Sequence, residues 1–246
     1  MKPNSLVTRF SFAALAIMLL SPAVAAAQDS KLNATAVVVP VANASFEDPN
    51  DLIVNTWTTN DVPGWQVLAG SWAGVWRPGA AYFPPAQVDG SNILYINYGG
   101  VTQTLPITLQ PMTDYSFSVR WGYPFSVGWG DMTGDGFAGV ALQFVAGKRV
   151  LATCAPQSTQ PQGEFSTVTL VYHSDDSGHS IGEPLSIRIL VLPVSGNGEY
   201  SANRWWQLDV DDAKVSFTDL RGTPNRSFTR TEECSIDYST QEDHAD

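Results

Sequence analysis

The chain has 246 residues, of which 24 are acidic and 13 are basic, so its net charge at pH 7 is −11. An acidic protein of this kind repels nucleic acids and anionic membrane surfaces, which excludes both as partners. Its carboxylates can instead serve a hard cation or a neutral ligand.

The first 27 residues have the pattern of a secretory signal peptide. Lys2 and Arg9 give a positive start, the apolar run "FAALAIMLL" follows, and small residues precede the expected cleavage after Ala27. The apolar run is too short to span a membrane. We therefore expect residues 1–27 to be removed, residues 28–220 to form one domain, and the mature protein to be secreted.

Strand signals dominate the domain and recur at regular spacing. The runs begin with "TAVVVPVAN" and end with "WWQLDVDDAKVSF"; they are rich in β-branched and aromatic residues and are separated by Gly, Pro, Asn and Asp clusters. The pair Gly99-Gly100 between two such runs predicts a tight hairpin. No sustained amphipathic helix interrupts the strands. The pattern predicts an all-β fold, an antiparallel jelly-roll β-sandwich.

Residues 221–246 are polar and acidic, and we interpret them as an extension of the domain. Cys154 and Cys234 are the two cysteines of the chain. In an oxidising compartment a disulfide between them is favoured over two free thiols, and it would tie the extension to the domain. Sequons that would carry glycans in a eukaryotic host stand at Asn33, Asn43 and Asn225.

The last strand contains three aspartates. Apolar residues before Asp211 and after Asp212 have opposite parity, which predicts a β-bulge at this point. Asp209 then projects from the face opposite the core. Asp211 lies at the bend, where Glu47 of the first structured segment can meet it if the first and last strands are neighbours. Asp211 and Asp212, two carboxylates beside bent backbone, suit a calcium ion to which Glu47 would contribute, although both can instead simply occupy an exposed turn.

Eight tryptophans are more than a core of this size needs. Several lie in Gly-punctuated stretches and can line a cleft, although each can instead belong to the core. The candidate cleft residues are the substrate-binding Trp72, Trp76, Trp121, Trp129, Trp205 and Gln207, together with the polar Tyr82, Arg120, Gln143 and Asp209. Conventional hydrolytic machinery is hard to assemble, since neither Gly-x-Ser-x-Gly nor His-Glu-x-x-His occurs.

The order of several motifs resembles a known group of proteins. The segments are "VANASFEDP", "VPGW", "GVWRPGAAYF", "DGSNILYINYGGVTQTL", "TDYSFSVRWG", "GEFSTVTLVY" and "WWQLDVDDAKV". They resemble carbohydrate-binding-module-like sandwiches with a galactose-binding-type jelly roll, and within them the calcium-dependent Stig cyclases of indole alkaloid pathways. Fungal secreted hetero-Diels–Alderases of tropolone sesquiterpene pathways are a similar branch.

The resemblance implies roles for individual residues. It implies that Glu47 and Asp211 hold a structural calcium ion, that Asp209 acts on the substrate, and that Tyr82 is a pocket tyrosine. It implies catalysis without an organic cofactor and a homodimer. The cysteine pair, the sequons and the extension depart from the cyanobacterial pattern and favour the fungal type.

The resemblance and the residue types together imply two alternative functions from different classes. The first is a secreted pericyclase that joins a terpene to a reactive dienone or quinone methide, a small hydrophobic substrate pair. Arg120, Tyr82 or Gln143 would polarise an oxygen of that substrate, and Asp209 would act as general acid or base. The alternative is a non-catalytic, calcium-stabilised carbohydrate-binding module, in which the same tryptophans would stack on sugars.

Overall fold

The computed structural model of the protein describes residues 35–125, 139–156, 162–176, 178–192, 207–221 and 232–237. The chain divides into the units Met1–Leu32 and Asn33–Asp246, and every described residue belongs to the second unit. Several predictions therefore lie outside the described residues, namely those for residues 1–27, Asn33, Trp129, Trp205 and Asn225. Within the described residues, no helix is long and apolar enough to cross a membrane.

Twelve strands and one short 3-10 helix, Pro85–Gln87, make up the described secondary structure. The strands are β1 (Val37–Val39), β2 (Gln66–Val67), β3 (Trp72–Trp76), β4 (Ile93–Tyr98), β5 (Gly100–Thr108), β6 (Thr113–Gly122), β7 (Gly139–Ala146), β8 (Arg149–Cys154), β9 (Phe165–Ser174), β10 (Pro184–Leu192), β11 (Leu208–Asp219) and β12 (Glu232–Asp237).

The strands form two antiparallel sheets. The seven-stranded sheet has the order β12-β9-β6-β11-β4-β3, and β1 also pairs with β11. The five-stranded sheet has the order β2-β5-β10-β7-β8. This architecture confirms the predicted all-β, antiparallel jelly-roll sandwich. It also confirms that the first and last strands of the domain are neighbours, since Val37–Val39 pair with Val215–Phe217.

The main core lies between the two sheets and follows the alternation of the strands. On β6, Tyr115, Phe117, Val119 and Trp121 are all buried in it, while the residues between them point to the other side of the sheet. We call that other side of the seven-stranded sheet, which faces away from the five-stranded sheet, its outer face. The predicted disulfide between Cys154 and Cys234 is confirmed, and it links β8 of one sheet to β12 of the other.

The hairpin predicted at Gly99-Gly100 is wrong. Strands β4 and β5 belong to different sheets, so the chain crosses the edge of the sandwich at Gly99 rather than folding back on itself. Gly99 has a φ of 73°, and a Cβ on it would come within 1.9 Å of the Ser71 hydroxyl. That hydroxyl accepts a hydrogen bond from the Gly100 N–H, which fixes the corner. Two glycines suit such a corner as well as they suit a hairpin.

Candidate active site

Asp209 lies in a row of residues that crosses the outer face. The cross-strand partners in this row are, from β3 to β9, Gly74, Tyr95, Asp209, Gly122 and Phe165. Directly paired residues of an antiparallel sheet share one face. The sequence prediction that Asp209 projects from the face opposite the core is therefore confirmed, because its neighbours Leu208 and Val210 are core residues.

Asp209 is fully buried although it carries a carboxyl group. Its Oδ1 accepts a hydrogen bond of 2.8 Å from the side-chain amide of Gln207, and no described residue bonds to its buried Oδ2. Burial raises the pKa of Asp209 well above its usual range, and the hydrogen bond from Gln207 offsets only part of that rise. The carboxyl group therefore favours its neutral form, in which it can donate a hydrogen bond from Oδ2.

Tyrosines lie near this carboxyl group. Tyr95 is directly opposite Asp209 on β4, and its hydroxyl donates to the Thr58 carbonyl at 2.7 Å, so the ring leans away from Asp209 over Gly74. Burial raises the pKa of Tyr123, and a charge on Asp209 would raise it further. Both tyrosine hydroxyls therefore stay protonated and uncharged beside Asp209.

An aromatic cluster covers the outer face beside Asp209. We call it the outer cluster: Trp76, Phe83, Ile93, Tyr95 and Phe165, with Trp72, Tyr82 and Val88 packed against them. Phe83 lies 4.7 Å from the Phe165 ring, and Tyr82 meets Trp76 edge-on at 5.1 Å. The predicted cleft residues Trp72, Trp76 and Tyr82 are thus brought to the same face as Asp209.

Residues 82–89, which we call the covering segment, hold this cluster against the sheet. Gln87 fixes the segment twice: its backbone carbonyl accepts a hydrogen bond from Arg120, and its side-chain oxygen accepts one from the Phe165 N–H. The Arg120 guanidinium also lies 5.2 Å above the Phe165 ring and 3.8 Å from Asp211. Arg120 therefore reaches the predicted face, but it serves to anchor the covering segment.

The predicted bulge on β11 is confirmed. The pairing with β6 shifts register between Asp211 and Lys214, and Asp212 has a φ of 52°. This bend brings Asp211 beside the turn at residues 89–92, where its Oδ2 accepts the Asp89 N–H at 2.7 Å. Oε1 of Glu47 accepts the N–H groups of Ser91 and Asn92 in the same turn, each at 2.8 Å. The structure thus brings both predicted metal ligands to one turn.

The two carboxylates fit a hard cation only with help from the backbone. No group of three or more His, Cys, Asp or Glu side chains stands close enough to hold a metal ion within the residues that the structure describes. Glu47 and Asp211 can supply carboxylate oxygens, and carbonyl groups would have to complete the six to eight ligands that calcium takes. Burial raises the pKa of Asp211 to about 7, despite the opposing effect of the Asp89 N–H and Arg120. A cation would favour its charged form.

Two of the predicted site residues lie elsewhere. Gln143 is on β7 of the five-stranded sheet, where it points away from the core and donates to Thr153 at 3.2 Å. It cannot share a cleft with Asp209, because the whole sandwich separates them. Trp121 is fully buried in the main core, since it pairs with Val210 on the inner face. The alternation of β6 explains this placement, whereas its flanking glycine and arginine suggested a cleft.

The sequon at Asn43 does not offer a free amide. The Asn43 side chain donates hydrogen bonds to the carbonyls of Asp48 and Pro63, and its Oδ1 accepts the Asp48 N–H. A glycan on this nitrogen would replace one of the two donated hydrogens. Asn43 is thus a structural residue of the first loop, and the glycan expected there stays a prediction.

Sequence reasoning missed the residues that complete the outer cluster. Tyr95 could have been placed by alternation, since Leu94 and Ile96 on either side of it are core residues. Phe83 and Gln87 had no such signal, because the covering segment is irregular and its contacts with Phe165 span about 80 residues of sequence. Only the fold brings these parts together.

A groove of about 490 Å³ at the other end of the sandwich lacks an acid or base that could act on a substrate. Its lining includes Leu105, Ile107, Tyr115 and Phe217 and contains no charged side chain. Phe217 is eight residues along β11 from Asp209, roughly 25 Å at the rise of a strand. The acid and the outer cluster therefore remain the candidate active site.

One protein family matches most of the chain. The HpiC1-like family, described as HpiC1 cyclase, matches residues 37–216. No curated protein matches the chain significantly.

Solved structures of cyclases share the fold. The Stig cyclase Fisc from Fischerella sp. TAU, in complex with (3Z)-3-(1-methyl-2-pyrrolidinylidene)-3H-indole, is 26% identical, with 76% of this chain and 100% of that chain covered and a TM-score of 0.62. An apo-form cyclase from Fischerella sp. is 25% identical over 76% of this chain and 98% of its own, with a TM-score of 0.60. A cyclase from Fischerella sp. TAU in complex with 4-(1H-indol-3-yl)butan-2-one is 25% identical, with coverages of 75% and 99% and a TM-score of 0.58. The chain therefore belongs to the HpiC1-like family and is a cyclase of natural-product biosynthesis.

Proposed function

We propose that this cyclase is a secreted pericyclase that catalyses a hetero-Diels–Alder-type cycloaddition between a terpene and a reactive dienone or quinone methide. The observation that carries the proposal is the fully buried Asp209, whose Oδ2 has no partner among the described residues and which lies beside an aromatic cluster. A buried polar atom without a partner is costly, and in a binding site a ligand can supply the missing hydrogen bond.

The chemistry needs no nucleophile and no organic cofactor. In a cycloaddition two σ bonds form as two π bonds are consumed, and no atom leaves. The protein must hold the two reactants in contact, which can lower a barrier by roughly 7–11 kcal/mol in ideal cases. The flat rings of the outer cluster suit this task, because they present apolar surface and exclude water.

Asp209 supplies the polar contribution. As electron density shifts to the carbonyl oxygen of the dienone, a neutral carboxyl group donating from Oδ2 stabilises it. Gln207 fixes the orientation of the acid through Oδ1. Tyr82 remains a candidate wall of the pocket, since its ring packs on Trp76. The buried histidine of the described residues, His173, is bonded to Asp114 near the opposite end of β6 and takes no part.

The cyclisation itself is the first test. The purified protein should accelerate the cycloaddition of a conjugated sesquiterpene polyene with a dienone, and it should not be retained on insoluble polysaccharides. The aromatic side chains beside Asp209 are buried, which suits an enclosed pocket better than the flat, exposed platform of a carbohydrate-binding module. Retention on glycans, combined with no effect on the rate for any polyene, would show the module function instead.

A structural calcium ion at Glu47 and Asp211 is part of the proposal. It would neutralise the buried Asp211 and tie the first loop to β11 at the bulge. We expect EDTA to lower the Tm of the protein, because an ion that binds only the folded state stabilises it. The variant Asp211→Asn should lose this response, whereas Asp212→Asn, which removes the neighbouring carboxylate that contacts Lys214, should keep it. An unchanged Tm of the wild type in excess EDTA would eliminate the ion.

A further inference from the structure

A second polar side chain faces the same side of the sheet as Asp209. Leu94 and Ile96 of β4 are buried in the main core, so Tyr95 and Asn97, which alternate with them, point to the outer face. The pairing of Leu208 with Ile96 and of Asp209 with Tyr95 places Asn97 one step along the strand, level with Gln207. Asn97, Gln207 and Asp209 are therefore neighbours on one surface.

Asn97 resembles Asp209 in having a buried oxygen without a partner. Its Oδ1 is shielded from solvent, and no described residue bonds to it. Gln207 does not serve it, because the amide of Gln207 is directed to Asp209 Oδ1. A single site thus contains two buried oxygens, Asn97 Oδ1 and Asp209 Oδ2, that the protein leaves unbonded. Diagonal neighbours on adjacent strands have Cβ atoms roughly 7–8 Å apart, so one small molecule can reach both.

An amide oxygen only accepts hydrogen bonds, and this restricts what can satisfy Asn97. A terpene hydrocarbon has no donor, and a plain dienone or quinone methide offers only its carbonyl oxygen. The atom that meets Asn97 Oδ1 must carry a hydrogen, as a hydroxyl group does. The outer cluster, to which Trp72 and Tyr95 belong, makes much of the remaining outer face apolar.

We propose that Asn97 is a substrate-binding residue that accepts a hydrogen bond from a hydroxyl group of the substrate. This inference rests on the proposed function, since it assigns a further binding residue to the same site. Asn97 and Asp209 then bind two oxygens of one molecule and fix which of its faces meets the polyene.

The test compares two probes that differ only in the donor. Binding of 4-hydroxyacetophenone and 4-methoxyacetophenone is measured by calorimetry with the wild type and with Asn97→Leu and Asn97→Ala. The wild type should bind the hydroxyl compound about 10-fold more tightly or better, the effect of one buried hydrogen bond, and both variants should bind the two compounds equally. The matched control is Gln143→Leu, a similar change on the outer face of the other sheet, which should keep the wild-type preference.

Each outcome decides the assignment. A wild type without preference, a wild type that binds neither probe, or variants that keep the preference would overturn it. Measured Tm values of the variants show whether they are folded, and the alanine variant covers the case in which leucine disturbs the sheet. Because binding needs no turnover, loss of the proposed cycloaddition with an intact hydroxyl preference would refute the reaction and leave the Asn97 assignment standing.

Discussion

Replacing Asp209 with asparagine is expected to lower kcat/KM for the cyclisation by about 100-fold or more, the usual contribution of a positioned general acid. The amide has nearly the same shape as the carboxyl group, so it can keep the hydrogen bond with Gln207. Its N–H group is a weaker donor than a carboxyl O–H, and it cannot transfer a proton to the substrate oxygen as charge develops there. The loss should appear mainly in kcat, because the contact strengthens in the transition state.

The same variant should not be less stable than the wild type. Burial disfavours a charge on Asp209, and asparagine removes that charge at every pH. We therefore expect an equal or higher Tm by calorimetry, which separates a catalytic role from a structural one. Asp219→Asn is the matched control: it makes the same change on the same strand, at an exposed carboxylate paired with Arg221, and should leave kcat/KM unchanged. Full activity of the Asp209 variant would remove this residue from the mechanism.

The fold was predictable because its signals are local. Alternation along each strand fixed which residues face the core, and the change of parity between Val210 and Ala213 was enough to place the bulge on β11. The position of Asp209 on the outer face follows from that same pattern. Gly99 shows the limit, because a corner between two sheets and a hairpin within one sheet require the same backbone freedom.

The site was predictable only in part, because its members are distant in sequence. Asp209, Trp72, Trp76 and Tyr82 are brought together, but the sequence contained nothing to show that residues 82–89 would lie across the strands and cover them. Arg120 lies on the predicted face, but there it binds Gln87 of the covering segment, a contact that the sequence did not indicate. The prediction for Gln143 failed because alternation along a strand indicates which residues point away from the core, but it does not indicate to which of the two sheets the strand belongs.

Removing the disulfide is expected to have the largest effect on stability. Cys154 and Cys234 are 80 residues apart, and closing a loop of that length stabilises the folded state by about 4–5 kcal/mol in the chain-entropy model. For a domain of this size such a loss lowers Tm by roughly 10 °C or more. Reduction of the wild type and the double variant Cys154→Ala/Cys234→Ser should show the same shift in calorimetry.

The loss of stability should leave the active site intact. Among the described strands, β12 pairs with β9 alone, at the edge of the seven-stranded sheet, and its apolar contribution besides Cys234 is the half-buried Ile236. The strand also lies outside residues 37–216, the part of the chain that matches the cyclase family. Well below the new Tm, kcat/KM should therefore equal that of the oxidised protein, and hydrogen exchange should increase first in β12 and along the adjoining edge of β9. A reduced protein that keeps its Tm would mean that the covalent link between the sheets contributes nothing, whereas lost activity at low temperature would mean that the edge of the sheet and the acid on β11 are coupled.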